Sequence, residues 1–184
     1  VFQPEIRQFL LMLGSPSFIH GKRKRFLFWR MPSAGDERLD IDTLVKTCQK
    51  MGQEHTGALI ILARANELRS YTESGEILDA RLSDALIENI FFKNSPLHDG
   101  AVIILHNRIR AARCILPVSG NTHIPADLGL RHRAGLGITE KTDAIGLIVS
   151  EETGEISIAK GGVIIQHVKP SQIKNFLEGE FGDK

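Results

Sequence analysis

Residues 57–63 read Gly-Ala-Leu-Ile-Ile-Leu-Ala, an apolar run without a polar break and without alternation. A run this short is a strand, and a strand apolar on both faces is a buried one. Such a strand needs a covering layer on each side, which ties the chain to a sheet flanked by helices. The same reading extends along the sequence. Residues 101–105 and 109–117 form two strands joined around His106-Asn107-Arg108 as a hairpin, and residues 144–150 form another apolar strand. Thr153-Gly154 and Gly161-Gly162 punctuate two more, over 156–159 and 163–166.

Helical spacing falls between and around these strands. Phe2, Ile6, Phe9, Leu10 and Leu13 share one face, with Pro4 tolerated in the first turn, and Gly14-Ser15-Pro16 ends that helix. Ile41, Leu44, Val45, Cys48 and Met51 mark a second helix capped by Asp40 or Asp42. Ser83 caps a third, carrying Leu86, Ile87, Ile90 and Phe91. Residues 129–139 read as a short helix after a loop, and Ile173, Phe176 and Leu177 mark the last. The expected fold class is α/β (mixed α+β), a single globular domain with a central mixed β-sheet of six or seven strands flanked by helices. The 184 residues, 42% hydrophobic and 24% charged, suit one such domain and exclude a disordered chain.

A net charge of +1 gives no bulk electrostatic case for nucleic acid or an acidic membrane, so no nucleic-acid partner is expected and Lys22-Arg23-Lys24-Arg25 reads as a solvated connector. Cys48 and Cys114 lie in apolar periodic surroundings and read as buried free thiols in a reducing compartment. No apolar run reaches the ~18–20 residues that span a bilayer. The chain opens on Val1 and passes straight into helical spacing, so the expectation is a piece of something longer.

Two strings carry chemistry. Leu97-His98-Asp99-Gly100-Ala101 follows the chain break at Asn94-Ser95-Pro96 and places an imidazole and a carboxylate beside a glycine that admits close backbone approach. Gly129-Leu130-Arg131-His132-Arg133-Ala134 concentrates three phosphate-seeking side chains at a helix start. Consecutive helical residues fan out by ~100°, so convergence of all three needs an irregular helix entrance, which favours a binding loop. Ser150-Glu151-Glu152-Thr153-Gly154 ends a strand and offers carboxylates for Mg²⁺ or Mn²⁺. A carboxylate able to hold a metal or accept a proton, beside a basic triplet, equips a site for chemistry on a nucleoside triphosphate. No P-loop, dinucleotide fingerprint or zinc spacing is present, and Cys114 lacks the surroundings of a nucleophile.

Together these strings closely resemble the diadenylate cyclase domain. Their order and spacing agree, as do the neighbouring Thr56-Gly57-Ala58-Leu59-Ile60 and Ile156-Ser157-Ile158-Ala159-Lys160. Val1-Phe2-Gln3-Pro4-Glu5 resembles the segment after the membrane helices in the membrane-anchored branch. The resemblance implies condensation of two ATP into cyclic di-AMP with release of two pyrophosphates. It implies that Asp99 activates the ribose 3′-hydroxyl, directly or through a metal, and that Gly100 and Ala101 shape the nucleotide pocket. Leu116 is expected against adenine, Arg131, His132 and Arg133 on phosphates, and Ser150 facing them. His98, Asp99 and Glu152 are the expected ligands of a divalent metal, Mn²⁺ or Mg²⁺. Residues 1–40 become an N-terminal helix and connector after a missing, membrane-spanning region, and residues 41–184 the catalytic domain of a bacterial protein facing the cytoplasm. Forming two symmetric bonds requires a face-to-face homodimer, and regulatory protein partners of unknown identity are expected. The chain departs from the family pattern at Leu130, where Thr is usual, and at Ile115, where relatives often carry Tyr. Those departures motivate an alternative, a catalytically weak adenine-nucleotide sensor.

Overall fold

Strand β1 (Ala58–Leu62) is buried along its whole length because it is the middle strand of a seven-stranded sheet. In this computed structural model, residues 38–121, 125 and 128–182 are described; the helix expected over Phe2 to Leu13 and most of the connector after it lie outside them. The other strands are β2 (Glu76–Arg81), β3 (Ala101–Leu105), β4 (Arg108–Cys114), β5 (Ile145–Val149), β6 (Ile156–Lys160) and β7 (Val163–Ile165), in the order β2-β4-β3-β1-β5-β6-β7. Only the β1–β3 pair is parallel, so the sheet is mixed as expected.

Among the described residues, five helices cover both faces: α1 (Ile41–Gln53), α2 (Arg69–Thr72), α3 (Asp84–Phe91), α4 (Leu130–Lys141) and α5 (Pro170–Phe181). Alternate strand residues serve opposite layers. Ile60, Val102 and Leu147 pack with Leu44 and Met51 of α1, Ile87 of α3 and Leu177 of α5. Leu59, Ile103 and Ile148 face the other way, toward Ile138 of α4 and Leu68 at the entry of α2. Fully burying each such Leu or Ile contributes roughly 1.5–3 kcal/mol, and this double layer is what an unalternating strand is for.

The caps settle an open choice. Asp40, not Asp42, caps α1, accepting from Thr43 N at 3.0 Å, while Asp42 accepts from Lys174 Nζ of α5 at 2.8 Å. Ser83 caps α3, accepting from Leu86 N at 3.3 Å. The hairpin turns through His106 and Asn107, both at positive φ (48° and 57°), as a two-residue loop between right-twisted strands requires.

Strand β2 has no counterpart among the expected elements. It is an edge strand, largely exposed, and broken by a bulge between Ile77 and Ala80 where Asp79 adopts φ 43°. Neither alternation nor an apolar run marks it. Arg108 Nε and Arg110 Nη1 of β4 hold the bulge by donating to Asp79 Oδ1 at 2.9 and 2.6 Å. The Arg108 hydrogen bond, aided by the nearby charges of Arg108 and Arg110, lowers the Asp79 pKa.

Candidate active site

Strand register gathers the motifs. Ala58 pairs with Val149, Ile60 with Val102, and Ala101 with Cys114. Gly57, Gly100, Ile115 and Ser150, each one residue beyond such a pair, therefore all leave the sheet at one end, on four neighbouring strands. Helix α4 approaches the same end closely because Gly135 has no side chain. A Cβ there would stand 3.0 Å from Ile148 Cδ1 and 3.2 Å from Leu59 Cδ1. Leu59 forms the floor and Leu130 and Ala134 the α4 wall of a cavity of about 490 Å³ that Asp99, Gly100 and Leu116 also line.

The loop before β3 is braced by its own polar groups. Ser95 Oγ accepts from Leu97 N at 3.2 Å, and Ser95 O lies 2.5 Å from His98 Nδ1. Asp99 is thereby presented, exposed, at the cavity border. Gly100 adopts φ 105°, and a Cβ there would come within 2.8 Å of Cys114 O and 2.9 Å of Arg113 C. Close approach is indeed the reason for this glycine, but the group approaching is the backbone of β4. Ala101 is fully buried behind it.

The basic triplet sits in the first turn of a regular helix, which corrects the expectation of an irregular entrance or binding loop. Its members diverge as the helical fan dictates. Arg131 Nη1 donates to Glu151 Oε1 at 2.5 Å, His132 is 8% exposed, and Arg133 Nε donates to Leu128 O at 3.3 Å. Among the described residues, Arg131 Nε is the one buried side-chain nitrogen or oxygen without a hydrogen-bond partner. Buried donors are nearly always paired, so this one marks a place for an acceptor.

Ser150 closes its own turn. Its Oγ accepts from Glu152 N at 3.3 Å and Thr153 N at 3.2 Å, and its carbonyl accepts from Gly154 N at 2.9 Å. The hydroxyl proton is left to donate elsewhere. Glu152 is exposed on the turn. Among the described residues no three His, Cys, Asp or Glu side chains are gathered for a metal, so His98, Asp99 and Glu152 do not form a cage. The fit to a metal is that of two donor residues consecutive in the chain. With His98 Nδ1 bonded to a backbone carbonyl, Nε2 is the ring nitrogen left for a ligand, on the residue before Asp99. The carboxylate suits a hard cation such as Mg²⁺ or Mn²⁺, and the imidazole nitrogen favours the softer of the two, Mn²⁺.

Residues beyond the motifs complete the cavity. Ser74 Oγ accepts from Ile115 N at 2.9 Å and pins the turn before β2 to the end of β4. Arg113 lines the cavity from a bulge with φ 57°. Ser74-Gly75, a turn-forming pair, is the local sequence signal for this wall. Cys114 borders the cavity too, and burial pushes its thiol up to about 12, so it is not a nucleophile at neutral pH. Burial also pushes Cys48 to about 12.

Known proteins supply the context. The family described as DisA bacterial checkpoint controller nucleotide-binding (DAC) matches residues 45–164. The chain is 40% identical over 181 residues to the cyclic di-AMP synthase CdaA of Bacillus subtilis, covering 98% of this chain and 64% of that protein. It is 41% identical over 179 residues to a diadenylate cyclase of Listeria monocytogenes, covering 96% and 62%. It thus spans less than two thirds of the length of these relatives. A crystal structure of a DacA double mutant from Staphylococcus aureus superposes with a TM-score of 0.75 at 38% identity, covering 78% of this chain and 95% of that one. A structure called a hypothetical membrane spanning protein from Bacillus cereus gives 0.68 at 37% identity, covering 73% and 67%. With its fold, its motifs and the family match over residues 45–164 in agreement, the chain belongs to the diadenylate cyclase (DAC) domain family.

Proposed function

We propose that this chain is the catalytic part of a diadenylate cyclase that joins two ATP molecules into cyclic di-AMP. The observation carrying this reading is the convergence of Asp99-Gly100, Arg131 and Ser150 on one end of the sheet, the end where a cavity lined by Asp99, Gly100, Leu59 and Leu116 opens. In each half-reaction the ribose 3′-oxygen of one nucleotide forms a bond to the α-phosphorus of the other. The bond from that phosphorus to the bridging oxygen breaks, and pyrophosphate leaves. The Asp99 carboxylate takes the 3′-hydroxyl proton. Leu116 and Leu59 provide the apolar surface for adenine, and Gly100 and Ala101 give the wall its shape.

Arg131, with His132 and Arg133 in the same turn, neutralises phosphate charge, and the Ser150 hydroxyl donates to a phosphate oxygen. In this reading His98 and Asp99 would hold Mn²⁺ or Mg²⁺, which when bound supplies charge neutralisation on the phosphates. In-line placement and charge neutralisation are the main demands of such a transfer. One chain offers one nucleotide site, so two chains face to face make the product. In this reading the domain lies on the cytoplasmic side of a membrane-anchored parent. Among the described residues no helix is long and apolar enough to cross a membrane, and one structural neighbour is called membrane spanning.

The test is incubation with ATP and either Mn²⁺ or Mg²⁺, with chromatographic identification of products. Cyclic di-AMP with two pyrophosphates per product is expected. ATP binding without any cyclic product under either metal would overturn the enzymatic reading in favour of a nucleotide sensor.

A further inference from the structure

We propose that Glu151 is a positioning residue that aims Arg131 at the nucleotide phosphates, an inference that rests on the phosphate role proposed above. Glu151 does not point freely into solvent as a spare metal ligand would. Its Oε1 is bonded to Arg131 Nη1 at 2.5 Å. The opposite edge of the same guanidinium carries Nε, buried and unpartnered. One edge is held and the other waits for an acceptor. A planar fork clamped on one side keeps its remaining donors in a fixed direction.

The fold makes room for this pair. A Cβ on Gly57 would lie 2.5 Å from Glu151 Oε2 and 2.9 Å from Arg131 Nη1, so the pair rests directly on the glycine that opens β1. The turn carrying Glu151 is closed by Ser150, through its Oγ and its carbonyl. Glu151 is thus anchored just past the end of β5 and Arg131 in the first turn of α4, and both rest against the start of β1. The Glu151 carboxylate is half exposed, so solvent screens what the pair adds to stability, and what the contact does fix is the direction of the Arg131 guanidinium.

The test is calorimetric titration of the chain and its variants with α,β-methylene-ATP, which cannot release pyrophosphate, and with adenosine. Glu151→Ala and Glu151→Gln are expected to weaken the triphosphate by about tenfold, the scale of one charge-assisted bond made loose, and to leave adenosine unchanged. In an Arg131→Ala background, Glu151→Ala is expected to add nothing, because the two act as one unit. Gly57→Ala, which crowds the pair without altering a charge, is expected to act like Glu151→Ala. Unchanged or tighter triphosphate binding by Glu151→Ala would overturn the proposal, since Glu151 would then merely repel phosphate. Equal losses for both ligands, or additive losses in the double variant, would overturn it too. If Arg131→Ala itself leaves triphosphate binding intact, the phosphate reading of Arg131 falls, and the role of Glu151 falls with it.

Discussion

Gly52 and Gly154 press their backbones together: a Cβ on Gly52 would lie 2.4 Å from the Gly154 carbonyl oxygen, and one on Gly154 2.3 Å from that of Gly52. The contact ties the last turn of α1 to the turn that presents Glu151 and Glu152. Replacing a helical glycine with alanine ordinarily stabilises by roughly 0.5–1 kcal/mol. Here the neighbour is backbone oxygen and cannot swing aside. Gly52→Ala is therefore expected to destabilise by about 2 kcal/mol, within the range for overpacking. That corresponds to a midpoint lowered by roughly 4–8 °C in a chain of this size. Thermal melting followed by circular dichroism decides it, and a raised midpoint would show that the contact yields.

Asp99 stands exposed at the cavity border, with the stiff loop before it and Gly100 behind it. Asp99→Asn keeps the shape and removes the charge that takes a proton or holds a metal. Turnover is expected to vanish while ATP affinity stays within about tenfold, or ~1.4 kcal/mol. Product formation near the normal rate would remove Asp99 from the chemistry.

Leu130 and Ile115 are 75% and 73% exposed, and both line the cavity. Leu130 occupies the first position of α4, at the helix end where backbone N–H groups are free. A hydroxyl there would join those donors. Leu130→Thr is expected to tighten ATP by about 0.5–1.5 kcal/mol, one net hydrogen bond. Calorimetry showing unchanged or weaker binding would mean that the position does not reach a phosphate.

Burial holds both thiols protonated, shifting Cys48 and Cys114 from 9.0 to about 12. Since the thiolate is the reactive form, alkylation at pH 8 is expected to run roughly a thousandfold slower than for a free thiol. A raised folded-state pKa stabilises fully below the unfolded value and is lost as pH rises through the folded one. Stability is therefore expected to fall between about pH 9 and pH 12. Mass spectrometry of labelled peptides also separates the two sites: a bound nucleotide is expected to slow Cys114, on the cavity, and not Cys48. Rapid labelling of Cys48 in the folded chain would contradict its burial.

How much of this was legible in the sequence depended on burial. Strands β1, β3 and β5 announce themselves because both faces are covered, so no polar residue interrupts them. Strand β2 lies at the edge, its sequence Glu-Ile-Leu-Asp-Ala-Arg carries no period, and Asp79 breaks its register. The chemical residues of the site stood out by type. Their grouping did not, because it follows from register between strands far apart in sequence. Arg113 and Ser74 reach the cavity through β2–β4 pairing that nothing local encodes. The helical fan of Arg131, His132 and Arg133 was legible as a constraint, and the helix obeys it. Divergence sent Arg131 to Glu151, a partner on a turn twenty residues away.

Assembly gives the last prediction. If two chains must face each other, the initial rate per mole of enzyme rises with protein concentration until the productive dimer saturates. At nanomolar protein the chain is then expected to bind ATP and turn it over hardly at all. Fusing a parallel dimerising helix ahead of Phe2 is expected to restore activity at low protein by raising effective concentration, provided the two cavities can still face each other. The measurement is specific activity over several decades of dilution, beside light scattering at the same concentrations. A flat profile across a range where scattering finds only monomer would exclude a two-chain mechanism, because one cavity would then be making both phosphodiester bonds.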